Sequence, residues 1–147
     1  MRYLLDTNII SELIRDKPNQ NVISFIKSIN EDAIMLSVVT IGEIKFGIEN
    51  SKSETKKEEL KNWLYNHLLQ RFENKIIDID IETILIWAKT THKLQTIGKP
   101  MPIMDLLIAS TCIAKNLILV TRNEKDFKAL DIKLINPFEK EINNALS

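Results

Sequence analysis

Short apolar runs with the character of buried strands alternate along this chain with segments of helical spacing, and that alternation restricts the fold more than any other feature. The runs 3–5, 33–39, 75–80, 117–120 and 132–135 are rich in leucine, isoleucine or valine and too short for core helices. After the first of them, Ile9, Ile10, Leu13 and Ile14 recur at helical spacing, with Asp6 or Thr7 available as a cap. Val22, Ile23, Ile26 and Ile29 predict a second helix, and Thr40 opens a third, with Glu43 in its first turn and Ile44 and Ile48 on one face. Leu60, Trp63, Leu64, His67, Leu68 and Phe72 predict one long amphipathic helix, and Leu85, Ala88 and Thr91 another over 81–94. Pro100 and Pro102 exclude a helix interior before position 102, so the next helix is predicted to start near Ile103. Strands alternating with helices argue for linked βαβ units. The predicted fold is α/β, a three-layer α/β/α arrangement around a central, mainly parallel sheet, as a single domain over residues 1–147.

Four carboxylates, Asp6, Glu43, Asp105 and Asp126, fall at or just after points where a strand-like run gives way to a helix-like one. In an open parallel sheet the ligand crevice lies outside the carboxyl ends of the strands, so acids repeated there are expected to converge. Each also has a structural explanation. Asp6 can cap a helix, Thr40-x-x-Glu43 and Thr121-x-x-Glu124 have the form of capping boxes, and Asp105 suits a helix dipole. Capping does not require acids at the same end of several strands, and the repetition therefore favours a site. Carboxylates gathered in one cleft repel one another unless a cation is present. Oxygen-only ligation suits Mg²⁺, or Mn²⁺ in its place, better than Zn²⁺.

Other chemistries find little support. The chain has no HExxH, CxxC, GxxxxGK[ST] or GxSxG, and its two histidines, His67 and His92, read as structural. The single cysteine, Cys112, lies in an apolar run and reads as a small buried hydrophobe. Lys plus Arg and Asp plus Glu both number 20, so any nucleic-acid binding must come from local basic groups and a metal site. With no apolar run near the length of a membrane span and no secretory leader, the expected location is the cytoplasm, without a membrane partner.

Leu5-Asp6-Thr7-Asn8, Thr40-Ile41-Gly42-Glu43-Ile44 with Gly47, Pro102-Ile103-Met104-Asp105 leading into Leu107-Ile108-Ala109, and residues 121–127 occur in that order, closed by Ile135-Asn136-Pro137-Phe138. In these pieces the chain resembles the PIN-domain proteins, specifically the VapC toxins of bacterial type II toxin–antitoxin pairs. The resemblance implies a metal-dependent endoribonuclease cleaving RNA, transfer RNA foremost. It also implies a homodimer and a cognate VapB-like antitoxin that masks the active site and carries promoter DNA binding. By the same resemblance Asp6 and Asp105 hold the Mg²⁺ directly, while Glu43 and Asp126 complete the catalytic set directly or through water. Thr121 and Asn123 are supporting residues, and Arg15, Lys99 and Arg122 are candidates for RNA contacts.

Two other readings stay open on the sequence. An Asp-based phosphotransfer domain also places aspartates at strand ends, although Asn8 stands where a haloacid-dehalogenase loop wants a second acid. A non-catalytic interaction module would use the acidic cleft only to receive a basic partner segment.

Overall fold

A computed structural model describes residues 1–139; the predicted domain extends to 147, and residues 140–147 lie outside those described. Strands β1 (Tyr3–Leu5), β2 (Ile34–Ser37), β3 (Ile76–Ile77), β4 (Ile118–Val120) and β5 (Leu134–Ile135) form one sheet in the order β3-β2-β1-β4-β5. Every pairing is parallel, with Tyr3 opposite Ile34 on one side and Ile118 on the other. Alternation along each strand divides the core between the two faces. Leu5, Ile34, Leu36 and Val120 join one apolar cluster, with Ile9, Ile10, Val22, Phe25 and Phe72 from the covering segments. Leu4 and Leu119 join the other, against Ile108, Ala109, Cys112 and Phe127. The result is the three-layer α/β/α arrangement.

The covering helices are α1 (Thr7–Leu13), α2 (Gln20–Ser28), α3 (Val38–Glu49), α4 (Glu54–Trp63), α5 (Leu69–Arg71), α6 (Ile81–Thr96) and α7 (Ile103–Lys115). Several boundaries differ from those predicted, each for a local reason. The run 33–39 is a strand only as far as Ser37, whose hydroxyl accepts the Val39 N–H at 3.0 Å and so starts α3 before Thr40. Thr40 is therefore helical interior and caps nothing, and Glu43 lies in the second turn of α3, not the first. Asp80 leaves the run 75–80 to accept the Thr83 N–H at 2.9 Å as the cap of α6, so only Ile76 and Ile77 pair. Of the run 132–135, only Leu134 and Ile135 pair with β4.

The single helix predicted around 60–72 starts earlier, at Glu54, and passes through a π-helical segment, Leu64–Leu68, before α5. In the wider turn Leu64 and Leu68 are buried, whereas His67 is exposed and not part of the apolar face. Asp105 also does not follow a strand, because α7 is entered from the loop after α6. It reaches the carboxyl edge for a topological reason. Helix α7 feeds the parallel strand β4, so it must run back against the sheet and begin where the other strands end.

Candidate active site

β1 hands its register to the site directly: the Asp6 N–H donates to the Val120 carbonyl at 2.9 Å, and the Asp6 side chain then caps α1 by accepting the Thr7 N–H at 2.8 Å. The other Asp6 oxygen accepts the Thr121 hydroxyl at 2.8 Å and the Asn8 amide at 3.2 Å. Thr121, fully buried at the end of β4, also accepts the Asn123 N–H at 3.0 Å. Asn8 spans the gap between α1 and the loop after β4, its carbonyl oxygen accepting the Arg122 N–H at 3.1 Å. Asp6 is only 5% exposed, and burial raises its carboxyl above the ordinary value against the pull of these hydrogen bonds, helped by the negative charge of Asp126.

The opposite wall comes from α3 and α7. Glu43 is half-buried and accepts the Thr7 hydroxyl at 2.7 Å, while the Thr40 hydroxyl lies 3.3 Å from that of Thr7. Asp105 is half-buried in the first turn of α7, and among the described residues no donor reaches its carboxylate. Burial, followed by the charges of Asp6, Glu43 and Asp126, pushes Asp105 up to about 6.

Asp6, Glu43 and Asp105 line one open cleft of about 490 Å³ at the carboxyl edge of the sheet, at the switch point where the chain order runs outward from β1 in both directions. Asn123, Arg15 and Arg122 line the same cleft. Asp126 does not; it is exposed on the short helical turn Glu124–Phe127, whose buried Phe127 fixes it near enough for its charge to reach Asp6 and Asp105. Asn123 contributes its backbone N–H to Thr121, and no side-chain bond from it to a carboxylate occurs among the described residues. Lys99 sits in the loop between α6 and α7 and is not part of the cleft lining. Four lining residues lay outside the predicted set: Thr7, Asn8, Ser11 and Glu12. Thr7 and Asn8 belong to a stretch singled out for its resemblance, whereas Glu12 had no signal beyond being an acid at a helical position.

Among the described residues no three acidic or histidine side chains stand close enough to cage a metal ion by themselves. Mg²⁺ does not need such a cage, since it binds through one or two carboxylates and keeps several waters. An all-oxygen set holding a carboxyl raised by burial and then by its neighbours' charge has the chemistry a hard cation relieves, so the residues fit the ion.

The model of the PIN domain family matches residues 3–133 of this chain. The chain belongs to the PIN-domain family. Among its relatives is Toxin FitB of Neisseria gonorrhoeae, 32% identical over 135 residues, covering 92% of this chain and 97% of that protein. Ribonuclease VapC2 of Rickettsia felis is 31% identical over 140 residues, 95% of this chain and all of that protein. The crystal structure of FitAcB from Neisseria gonorrhoeae superposes with a TM-score of 0.87 at 31% identity, covering 93% of this chain and 99% of the other. A structure of VapBC2 from Rickettsia felis bound to a DNA fragment from their promoter gives 0.77 at 29% identity, covering 92% and 98%. In this PIN domain the matched span contains all four carboxylates and the Thr121 end of β4.

Proposed function

We propose that this PIN domain is the toxin of a type II toxin–antitoxin pair, a cytoplasmic, metal-dependent endoribonuclease that cleaves RNA, transfer RNA foremost. The observation that carries the reading is the meeting of Asp6, Glu43 and Asp105 in one cleft, within a chain similar along nearly its whole length to proteins named toxin and ribonuclease. Asp6 and Asp105 would hold Mg²⁺, or Mn²⁺, with Glu43 and Asp126 acting from farther out or through water. When bound, the ion supplies the positive charge that polarises the scissile phosphate and steadies the leaving oxygen.

The chain's own residues prepare that cleft. Thr121, Asn8 and the Thr7 N–H fix the Asp6 carboxylate in one orientation before any ligand arrives. The Thr7 hydroxyl holds Glu43, which leaves that carboxylate placed to accept a hydrogen bond from a water or a ribose hydroxyl in the cleft. Arg15 and Arg122 supply positive charge to the flanking phosphates.

The partner is a VapB-like antitoxin, a reading supported by the VapBC2 complex on its promoter DNA. An antitoxin arginine would replace the cation's charge in the acidic cleft and so inhibit. The toxin itself would be a homodimer, assembling with antitoxin into a DNA-binding hetero-oligomer. No helix among the described residues is long and apolar enough to cross a membrane.

The test is cleavage of total cellular RNA by the purified, antitoxin-free protein with Mg²⁺ or Mn²⁺, beside EDTA and Asp105→Asn controls. Discrete fragments that vanish in both controls are expected, and their mapped ends identify the target. Intact RNA under every condition, from folded protein that binds the metal, would reject the ribonuclease and favour the interaction module.

A further inference from the structure

One carboxylate in the cleft lies outside the acidic set just described. Glu12 is on α1, two turns beyond the Asp6 cap, and its side chain is 5% exposed. One of its oxygens accepts the Asn19 N–H at 2.8 Å, the other accepts Nη1 of Arg15 at 3.1 Å. Asn19 in turn caps α2, its side-chain oxygen accepting the N–H groups of Asn21 and Val22. Glu12 therefore ties together the turn between α1 and α2, and Arg15 is the basic residue that this turn carries into the cleft lining.

A buried carboxylate is costly unless it is paired. The Asn19 N–H first, and then the Arg15 guanidinium, hold the Glu12 carboxyl below its ordinary value; a glutamine amide oxygen would still accept the Asn19 N–H, but only a carboxylate accepts that N–H and the guanidinium at once. Arg15 is itself 65% exposed, and a single donor is engaged by Glu12 among the described residues, leaving the rest of its fork to the cleft. Arg122 is also held from behind. Asn8 accepts its N–H at 3.1 Å, Asn136 donates to its carbonyl at 3.2 Å, and its guanidinium lies over the Phe138 ring, 4.7 Å from the centroid. Its charge reaches Glu12 as well. Two guanidinium groups, each braced by its own contacts and each near enough for its charge to reach Glu12, thus line an otherwise acidic cleft. Guanidinium forks match phosphodiester oxygens better than they match any neutral group.

We propose that Glu12 is a positioning residue for phosphate recognition, holding Arg15 so that Arg15 and Arg122 together grip an RNA phosphate next to the scissile one. The proposal rests on the ribonuclease reading of the cleft. It makes a prediction of sign. Glu12 is an anion beside the site of a polyanion, so on charge alone its removal tightens RNA binding. A positioning role requires the opposite: Glu12→Gln keeps the bond to Asn19, sets its amide N–H₂ against the Arg15 donors, and weakens binding despite the lost negative charge.

The experiment measures the anisotropy of a fluorescent single-stranded RNA of mixed sequence with the full chain in EDTA, and cleavage kinetics with Mg²⁺. Glu12→Gln is expected to weaken binding about fivefold and Arg15→Ala about five- to tenfold, with the double variant no weaker than Arg15→Ala alone. In cleavage the loss falls on KM, with kcat within about twofold. Arg15→Lys, which keeps the charge and loses the fork, is expected to weaken binding about threefold in the wild-type background. RNA binding by Glu12→Gln equal to or tighter than wild type overturns the proposal, as do additive losses in the double variant. If Glu12→Gln does not fold, wild-type affinity in Arg15→Lys overturns it. A wild type that binds RNA without cleaving it rejects the ribonuclease, while the binding series still decides the role of Glu12. A wild type that neither binds nor cleaves RNA rejects both.

Discussion

Asp6 and Asp105 bring the same carboxyl group to the same cleft from opposite walls, and their surroundings are opposites. On the β1–β4 wall, Asp6 accepts three hydrogen bonds, from Thr7, Asn8 and Thr121, and is oriented by the fold itself. On the α3–α7 wall, Asp105 has burial and three neighbouring negative charges but no donor to its carboxylate among the described residues. Both carboxyls are raised above the ordinary value, but Asp6 is oriented by hydrogen bonding whereas Asp105 meets burial and like charge with no bond to offset them. A fold that accepts this arrangement stores unfavourable charge where a cation can relieve it.

Substitutions on the two walls should separate these roles. Asp105→Asn and Asp6→Asn are both expected to lower RNA cleavage by more than about 100-fold, beyond the loss usual for an outer partner of a metal ligand. Their stabilities should part. In EDTA at neutral pH, Asp105→Asn removes the cost of a half-buried charge and, after it, the repulsion from its neighbours, and is expected to stabilise the protein by on the order of 1 kcal/mol, less than the full shift because solvent screens a half-exposed group. Asp6→Asn places an amide N–H₂ or a flipped oxygen among fixed donors and is expected to cost about 1–2 kcal/mol. Thermal melts of the two variants check this contrast, and a common direction of shift would show that the walls do not differ.

Thr121→Val keeps the shape of the buried side chain while removing the donor to Asp6 and the acceptor for Asn123. Cleavage is expected to fall about 10- to 100-fold, with about 1–2 kcal/mol of stability lost in chemical denaturation. If the variant cleaves like wild type, the hydrogen-bonded wall is not what orients Asp6.

The pH dependence follows from Asp105, raised from 3.8 to about 6 in the folded chain. A carboxyl raised in the native state binds its proton more tightly there than in the unfolded chain. Its favourable contribution to stability is complete below about pH 4 and is lost as pH rises towards 6. Metal-free protein should therefore lose on the order of 1 kcal/mol from this group between pH 4 and 6, superimposed on its other titrations and absent in Asp105→Asn. Metal binding requires the ionised form, so cleavage at limiting Mg²⁺ should fall as pH drops below about 6. The smallest effect is expected at Asp126. Its side chain is exposed and acts through solvent-screened charge, so Asp126→Asn should reduce cleavage only about threefold.

Much of this was legible before any coordinates. The apolar runs and helical periods of 3–5, 9–14, 22–29, 103 onward and 117–120 led to an α/β domain because local spacing reflects which faces must be buried. Errors arose where one polar side chain outcompeted propensity. Ser37 capped α3 ahead of Thr40, and Asp80 drew its segment out of the sheet into a helix cap. A π turn in the run around His67 likewise leaves no periodic mark in the sequence.

The sequence by itself determined the chemistry of this protein: which side chains are acids, that several stand at element junctions, and that no other catalytic motif competes with them. Tertiary structure decided which of those acids share a cleft, because convergence depends on strand order and on helix direction, neither of which is encoded locally. It set Asp6 and Asp105, so far apart in the chain, within reach of each other's charge. The same structure left Lys99 outside the cleft lining and brought Glu12 into it, where a buried carboxylate holds an arginine.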